Sequence, residues 1–160
     1  MNKPQELTIQ LEIIELSKES EGNPEAISKE LGVPEEALAT TTVFRESMGY
    51  FQVITPIHRN LDLRAIILMR ESRWVMAMDD FAWHDLTGTN EKQLTETKNN
   101  PFALANDPRM ETIVDAQIAN QEEIAILIGN NQAIKTRIAT LIVGTRAKVL
   151  AGVSLRKRNE

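Results

Sequence analysis

The C-terminal third of the chain has the most regular pattern of apolar and polar positions. Read as a heptad, seven of eleven core positions are apolar, in two columns: Ile113, Asn120, Leu127, Ile134 and Leu141, then Met110, Gln117, Ile124, Asn131, Ile138 and Thr145. Polar residues in such a stripe are typical of buried layers that fix register or oligomeric state. The pattern predicts a helical oligomerisation segment over residues 108–155, whose interface consists of Ile113, Asn120, Ile124, Leu127, Asn131, Ile134, Ile138 and Leu141.

Two forms of this segment are open. A continuous helix from Pro108 to Leu150 would be roughly 60 Å long, too long to bury its stripe on one small domain, so it would require partner chains. A break at Gly129-Asn130-Asn131 would instead give a helical hairpin, because Gly and Asn favour left-handed turns. The hairpin is the preferred form.

The N-terminal region begins with an ambiguous pattern. Residues 5–19 fit a helix through Leu7 and Leu11, but alternation from Leu7 to Ile13 fits a strand equally well. The next signal is clearer, since Asn23 before Pro24 is a typical cap and first helical position. We predict a short helix over residues 24–31 that Gly32 ends.

Residues 34–83 also allow two interpretations. A helix from Pro34 to Met48 competes with a hairpin of residues 41–57, which the β-branched run Thr40–Val43 favours. Residues 61–83 lack Gly and Pro and predict a helix, although an echo between residues 44–47 and 69–72 hints at a short meander over 41–80. The expected fold class is mainly α, with α+β as the alternative.

A long polar stretch suggests how the chain is divided. Residues 87–107 are rich in Thr, Asn and Lys, and an irregular stretch of this length is usually a functional arm or a linker. We therefore predict an N-terminal domain of residues 1–86, a loop or arm of residues 87–107, and the C-terminal helical segment of residues 108–155.

Composition narrows the class of protein. The chain has 160 residues, is 42% hydrophobic and 26% charged, and contains no cysteine, which excludes disulfide scaffolds and thiol catalysis. No apolar run approaches the roughly 18 residues of a membrane span, and the start lacks a signal-peptide core. We expect a protein without membrane partners, in the cytoplasm or within an assembled particle.

The formal charge of -5 is unevenly distributed. Residues 1–36 contain three Lys and nine Glu, whereas residues 132–160 contain seven Lys and Arg and one Glu. Complementary ends of this kind favour contacts between subunits. The predicted charged contacts are Glu35, Glu36, Arg156, Lys157 and Arg158.

Residues 25–33, Glu-Ala-Ile-Ser-Lys-Glu-Leu-Gly-Val, resemble the first helix and turn of the helix-turn-helix family, and the spacing to Gly49 resembles a winged member. The resemblance covers at most residues 7–55. It implies that a second helix, starting near Pro34, would read base edges. That stretch carries Glu35 and Glu36 and a single cation, Arg45, so nucleic acid is the disfavoured partner.

Candidate chemistry is sparse. Asp80 and His84 lie four residues apart and would share a helical face, where His58 or Glu71 could complete a metal shell. No second matched pair, phosphate loop or nucleophile elbow accompanies them. The sequence therefore assigns no catalytic, cofactor or metal residues and predicts a protein that is not an enzyme.

These observations favour a structural or assembly subunit of a multi-subunit complex or particle, such as a phage component. Its partners would be other protein subunits, including copies of itself, bound through the C-terminal segment and the charged ends. The alternatives are a winged helix-turn-helix regulator or adaptor with an oligomerisation tail, and a metal-dependent enzyme.

Overall fold

The computed structural model describes residues 12–20, 22–47, 49–78, 100–128 and 131–157. Its centre is a mixed sheet of eight strands, accompanied by a two-stranded sheet and short helices. The expectation of a mainly α fold is therefore wrong, and the protein is of the mixed α/β class. Within the described residues, no helix is long and apolar enough to cross a membrane.

The described strands are short to medium in length. They are β1 Glu12–Glu15, β2 Leu38–Glu46, β3 Gly49–Pro56, β4 Arg59–Leu61, β5 Val75–Ala77, β6 Glu111–Asp115, β7 Glu123–Ile128, β8 Gln132–Arg137, β9 Lys148–Leu150 and β10 Ser154–Arg156. The helices are α1 Pro24–Leu31, α2 Leu63–Arg70, α3 Pro101–Leu104, α4 Ala116–Ala119 and α5 Ile138–Thr145, with 3-10 turns at Lys18–Ser20 and Glu35–Ala37.

The main sheet runs in the order β1, β8, β7, β2, β3, β6, β9, and β5 pairs with β2. The pairs β2–β7, β3–β6 and β6–β9 are parallel, and the other pairs are antiparallel. Strands from residues 1–86 and from residues 108–155, which the sequence assigned to separate units, thus alternate within one sheet.

Both faces of the sheet are covered. On the first face Ile54 and Val114 join a core cluster with Ile27 of α1, Phe102 of α3 and Leu141 of α5. On the second face a smaller cluster packs β3 and β6 against α2 and the two-stranded sheet; its buried members are Phe44, Phe51, Val53, Ile66, Ile113 and Val153. Side chains alternate between these faces along each strand, which sets the positions of the polar residues described below.

Local capping chemistry explains where the helices start. The Asn23 side chain accepts a hydrogen bond from the Ala26 amide, and Gly32 ends α1 with φ of 69°, as the sequence predicted. Asp62 caps α2 in the same way. The strand alternative for the N-terminal region is confirmed for β1, and residues 1–11 lie outside the described part.

The second helix implied by the helix-turn-helix resemblance does not exist. Glu35–Ala37 forms a 3-10 turn, and β2 follows it directly, so the hairpin alternative for residues 41–57 is confirmed as β2 and β3. The predicted helix over residues 61–83 is wrong in extent, because α2 ends at Arg70 and β5 follows. In β2 the run Thr40–Val43 favours extended backbone, which outweighs the helical spacing there.

The C-terminal helical segment is also wrong. The described residues of 108–155 form β6, α4, β7, β8, α5, β9 and the start of β10, so this part of the chain contains neither a continuous helix nor a helical hairpin nor a coiled coil. The predicted turn falls between β7 and β8, where Asn131 has a φ of 59°. The apolar residues of β7 and β8 are buried because this pair lies inside the sheet, where strands read as nearly continuous apolar runs.

Candidate functional site

A break in strand pairing lies along one edge of β2. At the start of β2, Leu38 and Ala39 pair with β7, and at its end Phe44–Glu46 pairs with β5. The Val43 carbonyl accepts a hydrogen bond of 2.8 Å from the Met78 amide. Between these pairings no described strand pairs with this edge at Thr40, Thr41 and Thr42. We call this three-threonine edge the β2 gap.

Two buried polar atoms without partners lie beside the β2 gap. Thr41 is 5% exposed, and its Oγ1 forms no hydrogen bond with any described residue. Gln52 is fully buried on the same face of the sheet, two residues before Ile54, which is the partner of Thr41 on β3. Its Oε1 also lacks a partner within the described part of the chain. An unpaired buried polar group typically costs about 1–3 kcal/mol, so two at one place require a reason.

The Gln52 amide is held in a fixed orientation. Its Nε2 donates to the Pro101 carbonyl and to Thr112 Oγ1, each at 3.0 Å, so both of its amide hydrogens are used. The remaining Oε1 is a preorganised acceptor, and the Thr41 hydroxyl can donate or accept. We call Thr41, Gln52, Thr112 and the Pro101 carbonyl the polar cluster; it suits a ligand group that carries N–H or O–H donors.

Helix α3 covers the polar cluster because of a capping signal. The Asn100 side chain accepts from the amides of Phe102 and Ala103, and Pro101 occupies the first helical position. Phe102 anchors the helix in the core of the first face. Sequence analysis missed this site, although Asn100-Pro101 repeats the Asn23-Pro24 signal that it used for α1.

A cavity of about 170 Å³ opens beside β6. Strand β9 begins at Lys148 opposite Ile113, so the start of β6 has no described strand on that side. The cavity is lined by apolar residues and by six polar ones: Arg70, Glu111, Thr112, Thr145, Arg146 and Lys148. We call it the β6 pocket. Thr112 belongs to both the pocket and the polar cluster, and three of the lining side chains are cations.

One of these cations, Arg70, is held by a buried carboxylate. Its Nε donates to Glu46 Oε2 at 3.1 Å and its Nη2 contacts Glu46 Oε1, while the Ser72 hydroxyl donates to the same carboxylate. The guanidinium also lies 4.5 Å from the centre of the Phe51 ring. The hydrogen bond from Arg70 is the main cause that lowers the pKa of Glu46 below its ordinary value. Glu46 therefore stays ionised and fixes Arg70 at the rim of the pocket.

The residues of the predicted oligomer interface lie on separate elements. Ile113, Ile124, Ile134 and Leu141 are buried in the core of the protein itself. Leu127, Asn131 and Ile138 are half-buried, and Asn120 is exposed. They do not share one helical face, because they belong to β6, β7, β8, α5 and the segments between them.

The other predicted residues are mostly on the surface. Glu35, Glu36, Arg156 and Lys157 are exposed, and Arg158 lies outside the described residues. Of the metal candidates, His58 and Glu71 are exposed, and Asp80 and His84 are not described. No group of three or more potential metal-ligating residues occurs in the described ranges.

No family model matches the chain, and no curated protein matches it. Solved structures do match. The hypothetical protein APE2540 has a TM-score of 0.67 at 20% identity, over 91% of this chain and 92% of that one. The structure of "a putative trans-editing enzyme for prolyl tRNA synthetase" has a TM-score of 0.67 at 15% identity, over 88% and 85%.

A third match is with part of a longer protein. It is described as a "Putative signal transduction protein" from Marinobacter aquaeolei VT8, and the match has a TM-score of 0.56 at 15% identity, over 88% of this chain and 27% of that one. The fold of this chain is therefore shared with proteins of comparable length and with part of a longer protein. At these identities the similarity establishes the fold and no activity.

Proposed function

We propose that this chain recognises the aminoacylated end of a tRNA and hydrolyses its ester bond. In this reaction water adds across the bond between the acyl carbon and the ribose oxygen, giving a free amino acid and an uncharged tRNA. Editing enzymes use such hydrolysis to remove wrong amino acids. The observation that carries the proposal is the pair of unpartnered buried atoms of the polar cluster, Gln52 Oε1 and Thr41 Oγ1, in a fold shared with a protein described as "a putative trans-editing enzyme for prolyl tRNA synthetase".

The chemistry of the polar cluster, together with the β2 gap, fits an aminoacyl group. The Gln52 Oε1 can accept a hydrogen bond from the ammonium group of an amino acid. The Thr41 hydroxyl can donate a hydrogen bond to the carbonyl oxygen of the ester. The unpaired edge of β2 adds backbone donors and acceptors that an extended ligand can use, as in strand addition. Both atoms are buried without a partner in the free protein, which costs free energy. A ligand whose polar groups form hydrogen bonds with both atoms removes this cost, and its binding is stronger for that reason.

The charge distribution supports an RNA substrate. Residues 132–160 contain seven Lys and Arg and one Glu, and the described members of this set, including Arg146 and Lys148, are on strands, turns or helix ends of the C-terminal half. Of these, Arg146 and Lys148 line the β6 pocket together, whereas Lys135 and Arg137 lie on β8 towards the other end of the sheet. Two neighbouring cations on an acidic protein attract phosphates locally. The sequence disfavoured nucleic acid because Glu35 and Glu36 would lie on a DNA-reading second helix. These residues instead lie in a 3-10 turn that leads directly into β2.

The first prediction concerns Thr41→Val. Wild-type protein should release amino acid from at least one member of a panel of correctly and incorrectly charged tRNAs, and the variant should do so at least about tenfold more slowly, because it loses one directed hydrogen bond. The same change should raise the free energy of unfolding by about 1 kcal/mol, since it removes an unpartnered buried hydroxyl. Single-turnover deacylation and urea denaturation measure the two effects.

Thr42→Val is the matched control. It makes the same chemical change one residue further along β2, where the side chain points to the opposite face and is half-buried. It should leave deacylation at the wild-type rate. Absence of hydrolysis across the panel, or a Thr41→Val protein as active as the control, would count against the proposed activity.

A second candidate function is the assembly subunit inferred from the sequence. The observation that favours it is a set of exposed apolar side chains on α2, β5 and the segment between them: Leu63, Leu68, Met69, Trp74 and Met76. These five side chains fall within residues 63–76, and a set of exposed apolar side chains in one part of a protein typically marks a contact surface. We propose a second copy of the chain as the partner, with the acidic Glu35 and Glu36 and the basic residues 156–158 as additional contacts.

The second prediction tests self-association. Light scattering should give a mass above 18.0 kDa that rises with protein concentration, and Leu68→Lys should return it to the monomer value because Leu68 is 77% exposed on this surface. Val143→Lys, at a residue 68% exposed on α5, is the control and should leave the mass unchanged. Reversing the charges of residues 156–158 should weaken association further at low salt. A monomer at every concentration would eliminate this candidate.

A further inference from the structure

We propose that the β6 pocket is a binding site for a phosphate oxyanion, held by Arg146, Lys148 and Arg70. The three cations come from three separate elements, the end of α5, the start of β9 and the end of α2, and converge on a cavity of about 170 Å³. Cations that approach from several directions match a tetrahedral phosphate better than a planar carboxylate. This site shares Thr112 with the polar cluster, but phosphate binding there does not depend on hydrolysis at the β2 gap.

The backbone of Arg146 supports a functional role for its side chain. Arg146 ends α5 with a φ of 56°, a left-handed conformation that favours glycine and costs a side-chain-bearing residue free energy. The carbonyls of Ile142 and Val143 accept hydrogen bonds from the amides of Ala147 and Arg146. Few carbonyl oxygens at this helix end are therefore free to repel an anion. Among the described residues, the guanidinium donates one long hydrogen bond of 3.4 Å to the Ala105 carbonyl.

The third cation becomes available by exchange. Arg70 Nη1 contacts Glu111, whose side chain is 57% exposed, whereas Arg70 Nε and Nη2 are held by the buried Glu46. An exposed ion pair contributes little, so an incoming phosphate can replace the Glu111 carboxylate without displacing the guanidinium. The Thr112 hydroxyl, which accepts from Gln52, keeps its own hydrogen for donation into the pocket.

The test is a titration with inorganic phosphate at constant ionic strength, in which calorimetry measures the heat of binding. Wild-type protein should bind saturably, Arg146→Gly should bind at least about tenfold more weakly, and Glu111→Gln should bind up to about fivefold more tightly. Arg146→Gly should not lower Tm, because glycine adopts the left-handed conformation freely. Loss of binding without loss of stability separates a site from a structural contact.

Two controls make the result specific. Glu71→Gly changes the left-handed end of α2, at φ 52° outside the pocket, and Arg156→Gln removes an exposed cation elsewhere. Neither should weaken phosphate binding. No saturable binding by wild-type protein, unchanged binding by Arg146→Gly, or an equal loss in Arg156→Gln would overturn the proposal, and unchanged binding by Glu111→Gln would overturn the exchange at Arg70.

A second probe identifies the source of the phosphate. A short oligoribonucleotide without terminal phosphates that competes with inorganic phosphate would assign the site to the RNA backbone. Failure to compete, with phosphate itself still bound, would assign it to a free or terminal phosphate group. The binding result stands in either case if the tRNA deacylation assay is negative.

Discussion

Glu46→Gln is expected to lower the free energy of unfolding by about 3 kcal/mol at neutral pH. The substitution keeps the size of the side chain but removes the charge that holds Arg70, which is 18% exposed and stacks on Phe51. Removing one partner of a buried ion pair is costly because the remaining charge stays desolvated. Urea denaturation followed by circular dichroism measures the difference.

The effect should depend on pH in a defined direction. The pKa of Glu46 is lowered in the folded protein, mainly by the hydrogen bond from Arg70. Its contribution is therefore fully present above the unfolded pKa, about 4.3, and is lost as the pH falls through the lower folded value. The difference between wild-type protein and Glu46→Gln should shrink as the pH is lowered through this range.

Glu111→Gln is the matched control for this prediction. Glu111 contacts the same guanidinium but is 57% exposed, so its loss should change the free energy of unfolding by less than about 1 kcal/mol. Equal effects of the two substitutions, or a difference between wild-type protein and Glu46→Gln that stays constant in acid, would show that burial of Glu46 does not stabilise this pair.

Sequence reasoning predicted those elements whose signals are local. The helix at Pro24–Leu31 was predicted with the bounds that the structure shows. Its Asn cap, its Pro at the first helical position and its terminal Gly are signals that act over a few residues. The turn near Asn131 was also placed correctly, although between strands rather than helices. Turn chemistry specifies a change of direction without specifying the elements that it joins.

The C-terminal segment was misread because two of its strands, β6 and β7, are buried on both faces of the sheet. Strand β7 reads Glu-Ile-Ala-Ile-Leu-Ile, with apolar residues at consecutive positions, and such a run fits a heptad as easily as a central strand. The short strand β8 and the eight-residue helix α5 that follow place apolar residues at spacings that imitate a continuous stripe. Pairing with β2, about 85 residues earlier in the chain, decides the outcome and leaves no local signal.

The candidate site could not be predicted either, because its residues are brought together by contacts between distant parts of the chain. Gln52 meets Pro101 and Thr112, which are 49 and 60 residues away in the sequence. The unpartnered state of Thr41 depends on where β7 and β5 stop pairing with β2. The threonine run was visible in the sequence as a signal for extended backbone, but its polar role follows only from the surrounding sheet.

Ile134→Ala is expected to lower the free energy of unfolding by about 3–4 kcal/mol. Ile134 is fully buried on β8, and truncating a buried isoleucine removes apolar contact and leaves a cavity. The sequence pattern placed this residue in an interface between subunits, where the loss would depend on protein concentration. Burial in the core of one chain instead predicts the same loss at every concentration, which thermal and urea unfolding at several dilutions can measure.

Ile13→Ala provides a control on the neighbouring strand. Ile13 pairs directly with Ile134 in the register of β1 and β8, but it is 52% exposed, so both variants lose the same β-branched side chain at adjacent sheet positions. Its substitution should cost less than about 1 kcal/mol, because little apolar surface is withdrawn from water there. If the two variants were equally destabilised, or if the loss in Ile134→Ala vanished on dilution, Ile134 would belong to a contact between chains and not to the core of this sheet.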